Sequence, residues 1–282
     1  MHKTKGWTLL LALAALLALS LPGAADARCG EVLQISGDGG DSFRAALAVP
    51  ENAAPVAALI LLPGGAGAVR LDDEGCPRSL AGNSLVRSIP LFRAAGAATA
   101  LADAPAEFQG RDGLGGHRIE PRHAAAIAAL VRELRRRIDA PVWIVGTSRG
   151  AISAANAASR LAGDAAADGV VLTSPVTVGS RGALPWTSQS VFDLPLERIR
   201  LPLLVVGHEG DKCLRSPSSN LARIAAAASS PRKQVAVVTG GPGSRFATPD
   251  LGACEGREPH GFVEQEAALA AGILRFVRGG NF

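Results

Sequence analysis

The stretch Val142-Trp143-Ile144-Val145-Gly146-Thr147-Ser148-Arg149-Gly150-Ala151-Ile152-Ser153-Ala154-Ala155-Asn156-Ala157-Ala158 decides how this chain is read. Four apolar residues run into Gly146-Thr147-Ser148-Arg149-Gly150 and then into an alanine-rich segment. A bare G-x-S-x-G says little here. With 33 glycines in 282 residues, the pattern arises by chance roughly one time in four. Its setting says more. An apolar run predicts a buried strand over Val142–Val145, and the alanines predict a helix from Arg149 to Leu161. Ser148 then lies where a parallel strand ends and a helix begins, the edge at which α/β sheets place their ligands. Glycines at 146 and 150 remove side chains that would block so tight a turn. The helix start favours developing negative charge.

Working outward, strand-like and helix-like runs alternate with no internal repeat and no long linker. Phe43–Val49, Val56–Leu62, Ala97–Ala102, Gly169–Leu172, Leu201–Val206 and Val235–Val238 read as further strands. Asn83–Ala94 reads as a helix despite Pro90. Another starts at Pro121, with Ile127, Leu130, Val131, Leu134 and Ile138 on one buried face. Ser216 as cap and Pro217 as first residue open a helix to about Ala228, and Val263–Val277 reads as the last one. Apolar strands without alternation require a sheet covered on both faces. The expected class is therefore α/β, a mostly parallel central sheet with helices on both faces, and residues 174–200 leave room only for a short cap.

Residues 1–27 read as an export signal. His2, Lys3 and Lys5 are positive, Leu9–Leu19 are apolar, and Ala25-Asp26-Ala27 offers a cleavage site. Eleven apolar residues fall short of the roughly 20 that span a bilayer, so no membrane partner is expected after removal of the signal. Residues 28–282 then form one domain, periplasmic or secreted. The sequence pI is about 9.2. Yet without Lys3, Lys5 and Asp26 the balance is 27 basic against 24 acidic residues, spread over the chain. The dense run Arg132–Arg137 reads as a solvated helix face. No aromatics interleave with it and tyrosine is absent, so nucleic acid is not an expected partner. No histidine or cysteine spacing predicts a metal, and no cofactor is expected.

The strand-turn-helix setting of Ser148 resembles the nucleophile elbow of the α/β-hydrolase superfamily, with a likeness to secreted serine esterases of the dienelactone-hydrolase type. In element order the resemblance covers nearly all of the mature chain, and only the elbow is a sharp motif. It implies an acid after a later strand and a histidine near the end, in the order Ser, Asp, His. Asp211 in VVGHEGDKC and His260 in REPHGF take those places. It also implies an oxyanion hole, with one donor from the backbone of Arg149. The other would come from Gly65, with Ala66 as the alternative, since Pro63-Gly64-Gly65 stands where the family often has His-Gly-Gly. His208 is expected to line a strand end, and His117 and His123 to hold surface or structural roles. Trp186, Val191, Phe192 and Leu194 would line an acyl pocket or pack on the sheet. A His260–Asp211 hydrogen bond would bring Cys213 and Cys254 together, leaving Cys29 to pair with Cys76. The implied activity is cleavage of small carboxylic esters through an acyl-enzyme. Thioesterases and peptidases with the same triad, and a non-catalytic binding protein on this scaffold, remain open.

Overall fold

The computed structural model describes residue 2 and residues 29–37, 40–51, 53–179 and 185–282; the segment 1–27 expected to be an export signal otherwise lies outside the described residues. Eight strands form one sheet in the order β1-β2-β4-β3-β5-β6-β7-β8. They are β1 (Glu31–Ser36), β2 (Ser42–Ala48), β3 (Ala57–Leu62), β4 (Ala97–Ala102), β5 (Val142–Thr147), β6 (Gly169–Thr173), β7 (Leu203–His208) and β8 (Lys233–Val238). β2 runs antiparallel to both β1 and β4, and every other pairing is parallel.

Among the described residues, five α-helices cover this sheet: α1 (Ser84–Ala94), α2 (Pro121–Arg137), α3 (Gly150–Arg160), α4 (Leu221–Ala227) and α5 (Glu266–Val277). Successive strand residues point to opposite faces, and here both faces are dry. In β3, Ala58, Ile60 and Leu62 join a core with α2, α3 and α4, through residues such as Leu130, Ala154 and Ile224. Ala57, Leu59 and Leu61 join a second core with α1 and α5, through Phe92, Ile273 and Phe276. This is why the central strands carry no polar alternation: all six residues of β3 and of β5 are buried. Small side chains let α3 lie close on the sheet, with Ala151, Ala154, Ala155 and Ala157 each fully buried.

The edges depart from the sequence expectation for physical reasons. β1 was not anticipated, although Leu33 and Ile35 alternate inward and pair with Ala45 and Phe43. β8 is an edge strand with Val235 and Val237 exposed, so it alternates. β7 begins after Pro202, which has no N–H for the ladder, and extends to His208. Ser216 does not cap a helix. Its N–H donates to the Cys213 carbonyl at 3.1 Å, and Pro217 is extended, leading into a short turn at Ser218–Asn220 before α4. α5 starts at Glu266 rather than at 263 because Phe262 and Glu264 hold φ of 55° and 60°, left-handed values no helix accommodates.

Arg135, Arg136 and Arg137 form the exposed face expected of them, paired with Asp168, Glu133 and Glu31. His117 and His123 are buried, so a surface role is ruled out for both. His117 bridges Asp41 and Glu120 at 2.9 and 3.0 Å. His123 packs edge-on against it, with ring centroids 4.9 Å apart. Burial, with His117 and Arg118 adding to it, pushes the His123 pKa well below its ordinary 6.5. An unfolded chain therefore binds a proton that the folded one refuses. Stability from this group is present above pH ~6.5 and is lost as pH falls below it, by up to about 1.4 kcal/mol per pH unit. Replacing His123 with glutamine should flatten that acid limb, read from urea-unfolding midpoints between pH 5 and 8. An unchanged slope would show that His123 titrates alike in both states.

Candidate active site

Ser148 sits between β5 and α3 with φ at 53°, in the left-handed region. A non-glycine residue there costs roughly 1–2 kcal/mol, and the surroundings must impose it. They do so by close approach. A Cβ on Gly146 would lie 2.4 Å from the Gly150 carbonyl oxygen, and one on Gly150 would lie 2.0 Å from that of Leu62. Backbone bonds then hold the turn. Ser148 N–H donates to Thr173 at 2.9 Å, while its carbonyl accepts from Ala151 at 3.1 Å and Val176 at 3.4 Å.

The loop after β3 lies against this turn. A Cβ on Gly64 would come within 2.9 Å of the Ser148 Cβ, so the serine is approached by bare backbone. Gly65 follows with φ at 58°, and Gly67 N–H donates back to the Gly64 carbonyl at 3.1 Å. Gly64, Gly65, Ser148 and His260 line one cleft of about 320 Å³, with Leu80, Asn83 and Cys254 among its other walls. Arg149 flanks the start of α3. Burial, reinforced by Arg215 and opposed by Asp112, pulls its guanidinium down to about 10.

Asp211 follows β7 and His260 follows β8, and the structure brings them together. His260 Nδ1 lies 2.9 Å from Asp211 Oδ2, and both side chains are almost fully buried. The other carboxylate oxygen accepts the Cys213 N–H at 2.7 Å. His260 Nε2 is buried with no hydrogen-bond partner among the described residues. A carboxylate on Nδ1 selects the tautomer that leaves Nε2 as an acceptor. His208 is held differently: its Nδ1 accepts the Gly210 N–H at 3.0 Å, and burial lowers its pKa.

Three ties fix the histidine loop. The Cys213–Cys254 disulfide, with Cα atoms 4.4 Å apart, joins it to the acid loop, and Asp250 bonds to Lys212 and Leu214 beside it. Ser174 Oγ donates to the His260 carbonyl at 2.8 Å. Arg87 on α1 donates to the Gly256 and Gly261 carbonyls at 2.9 and 3.0 Å while pairing with Glu266. Sequence alone does not reveal Ser174 or Arg87, because neither belongs to a motif. The second disulfide, Cys29–Cys76, ties the start of the described chain to the segment after the glycine-rich loop.

Val191 and Leu194 do not line the cleft. They are buried in the core shared with α3, and Phe192 packs against that core under the Arg223 guanidinium. The side chain of Trp186 lies outside the described part of the chain. Among the described residues, Asp211, Cys213 and His260 are the one group with metal-ligand atoms within 4.8 Å of one another. The Cys213 sulfur is already bonded to Cys254.

No family model and no curated protein matches the sequence. Solved structures do. DcsB in complex with a substrate analogue is 13% identical, with a TM-score of 0.60 over 88% of this chain and 98% of that one. Est1E of Butyrivibrio proteoclasticus, with ferulic acid bound, is 16% identical, with a TM-score of 0.56 over 85% and 98%. A serine hydrolase without a lid from Xanthomonas campestris is 15% identical, with a TM-score of 0.53 over 87% and 94%. At these identities the likeness concerns the fold: the chain has the α/β-hydrolase fold, with a small cap region between β6 and β7.

The disulfide at the cleft closes a ring over a separation of 41 residues, worth roughly 3–4 kcal/mol in the chain-entropy model. Its loss should loosen the two loops before the sheet. In a Cys213→Ala/Cys254→Ala variant, amides of residues 209–215 and 250–261 should exchange with solvent at least tenfold faster. Those of β3 and β5 should keep their protection. Uniform loss of protection would show instead that the bridge holds the whole domain.

Proposed function

We propose that this chain is an exported serine hydrolase that cleaves carboxylic esters of small soluble compounds. The observation that carries this reading is the strained Ser148 turn in the same cleft as a buried, carboxylate-paired histidine. A serine hydroxyl is a weak nucleophile until a neutral imidazole takes its proton during attack. In this reading His260 Nε2 takes the Ser148 proton while Oγ adds to the ester carbonyl carbon and the carbonyl electron pair moves onto oxygen. Backbone N–H groups of Arg149 and of Gly65 or Ala66 receive that oxyanion. Collapse expels the alcohol, which takes the proton from His260, and water then releases the acid by the same sequence. Asp211 holds the imidazole in register and stabilises its cation.

The cleft favours small esters. Much of its wall is glycine backbone, from residues 64, 65, 82, 256 and 261, and among the described residues between β6 and β7, Val191 and Leu194 pack on the core with α3. Export is supported by the charged and apolar pattern of residues 1–27 and by two disulfides, which persist in oxidising compartments. No described helix is long and apolar enough to cross a membrane.

A fluorophosphonate probe should label Ser148 in the native protein and not after heat denaturation. Ser148→Ala should fold as the parent does, since the glycines and flanking elements make the turn, and should lose ester turnover by up to about 10⁶-fold in kcat. Retention of more than about a tenth of the parent turnover would end this reading.

The base can be tested separately. His260→Ala should be as inactive as the serine variant, whereas His208→Ala should keep most turnover, because His208 Nδ1 is engaged by the Gly210 N–H. The reverse ranking, measured with p-nitrophenyl acetate, would move the base to His208.

A further inference from the structure

Arg118 lies in Gly115-Gly116-His117-Arg118-Ile119, in the connection from β4 to α2. It is 1% exposed and stands first among the largest fully buried side chains. Buried guanidinium groups are expected to meet a carboxylate. Among the described residues no acid forms an ion pair with Arg118. Its Nη1 donates to Ser153 Oγ on α3 at 2.8 Å. Its Nη2 donates to the carbonyls of Pro63 and Gly65 at 3.2 and 3.3 Å. Nε makes no hydrogen bond. The surroundings lower the pKa well below that of a free arginine, by burial first and then by the nearby charge of Arg149.

The backbone of Arg118 is as constrained as its side chain. Its N–H donates to Leu114 at 3.2 Å. Asn156 Nδ2, on α3, donates to its carbonyl at 3.0 Å and to that of Glu120 at 2.8 Å. Leu114 N–H in turn holds the Ala66 carbonyl at 2.8 Å. A methionine or leucine would fill this space without the cost of an uncompensated buried charge, so packing does not account for an arginine here.

The acceptors do. In a trans peptide the carbonyl and the N–H of the next residue point in opposite directions. The Pro63 carbonyl shares its peptide with the Gly64 N–H, and the Gly65 carbonyl shares its peptide with the Ala66 N–H. Arg118 therefore grips two peptide units of the glycine loop by their oxygens. The peptide between them, which carries the Gly65 N–H, is gripped by Gly67 through the Gly64 carbonyl. A charged donor on the oxygen draws electron density from the N–H at the far end, and such bonds are about twice as strong as neutral ones.

We propose that Arg118 is a positioning residue of this site: its buried guanidinium fixes and polarises the two peptides on either side of the one that carries the Gly65 N–H, so that the Ala66 N–H, and the Gly65 N–H held between them, are preorganised for the oxyanion. This rests on the hydrolase reading given above. The positive charge has no carboxylate partner among the described residues and gains a negative counterpart when the tetrahedral intermediate forms. That difference between ground and transition state is what accelerates a reaction.

The test compares turnover of p-nitrophenyl acetate with inhibition by butylboronic acid, which forms a tetrahedral adduct on a reactive serine. Removing a whole oxyanion donor costs about 10²–10³ in kcat, and loosening one should cost less. In Arg118→Met, kcat should fall roughly 10- to 100-fold with KM within about twofold, and the boronate Ki should rise by the same factor. Arg118→Lys, which keeps the charge and loses the two-carbonyl grip, should fall between Arg118→Met and the parent. If the methionine variant does not fold, the lysine variant decides. A folded variant with a lowered melting temperature but parental kcat and Ki would overturn the proposal, as would a rise in KM alone. If the parent neither reacts with fluorophosphonate nor turns over the ester, the hydrolase reading falls and this one with it. Normal parental activity with indifferent Arg118 variants removes this one only.

Discussion

The Leu62 carbonyl oxygen and the Gly150 Cα lie so close that a single methyl group on Gly150 would sit 2.0 Å from that oxygen. That contact brings together the end of β3, the end of β5 and the start of α3. With β5 and α3 locked at this distance, the residues between them have little choice of conformation, and Ser148 takes the left-handed φ that turns its side chain out of the sheet. The strain is small beside the burial of Ala151, Ala154, Ala155 and Ala157 on α3 and of all six residues of β5, so the fold can sustain it. The same closeness lays the glycine loop after β3 over Ser148, with bare backbone where a side chain would otherwise intrude.

A second requirement follows from where the remaining groups lie. Asp211 and His260 stand on loops after different strands, and loops are the least constrained part of such a fold. Their 2.9 Å contact is kept by crosslinks drawn from elsewhere: a disulfide, the Ser174 hydroxyl at the end of β6, and Arg87 reaching over from α1. Each acts on backbone or at a loop base rather than on the imidazole itself. Among the described residues the ring then has Asp211 as its side-chain hydrogen-bond partner, on Nδ1, and none on Nε2.

Charge is arranged to the same end. Asp211 and His260 face one another on the histidine side, while buried Arg118 and half-buried Arg149 bring positive charge to the serine side. Buried ionisable groups are costly to a fold, and these are not the only ones: His117 and Asp41 form a second buried pair away from the cleft. The cores themselves are built from alanine, leucine, isoleucine and valine with few aromatic residues, which suits helices packed closely on parallel strands.

Much of this was legible in the sequence because it depends on local pattern. Continuous apolar runs gave the central strands, a helical period gave α2, and two glycines around Ser148 gave the turn. Asp211 and His260 were singled out through the resemblance and the order of the elements, and the two cysteine pairings, which the structure shows, followed from placing them side by side. Other features depend on partners far away in the chain, and no local pattern encodes them. Whether Ser216 caps a helix was decided by a carbonyl three residues earlier in a loop whose path is fixed by a disulfide. The start of α5 was decided by two left-handed residues needed to turn the chain after His260. Val191 and Leu194 went to the core because α3, not the cleft, offered them apolar surface. Arg118 and Arg87 look like ordinary surface arginines until the fold brings them acceptors 55 and 174 residues away. Periodicity records which face of an element is dry. Only the packed chain determines which carbonyl a buried guanidinium will meet.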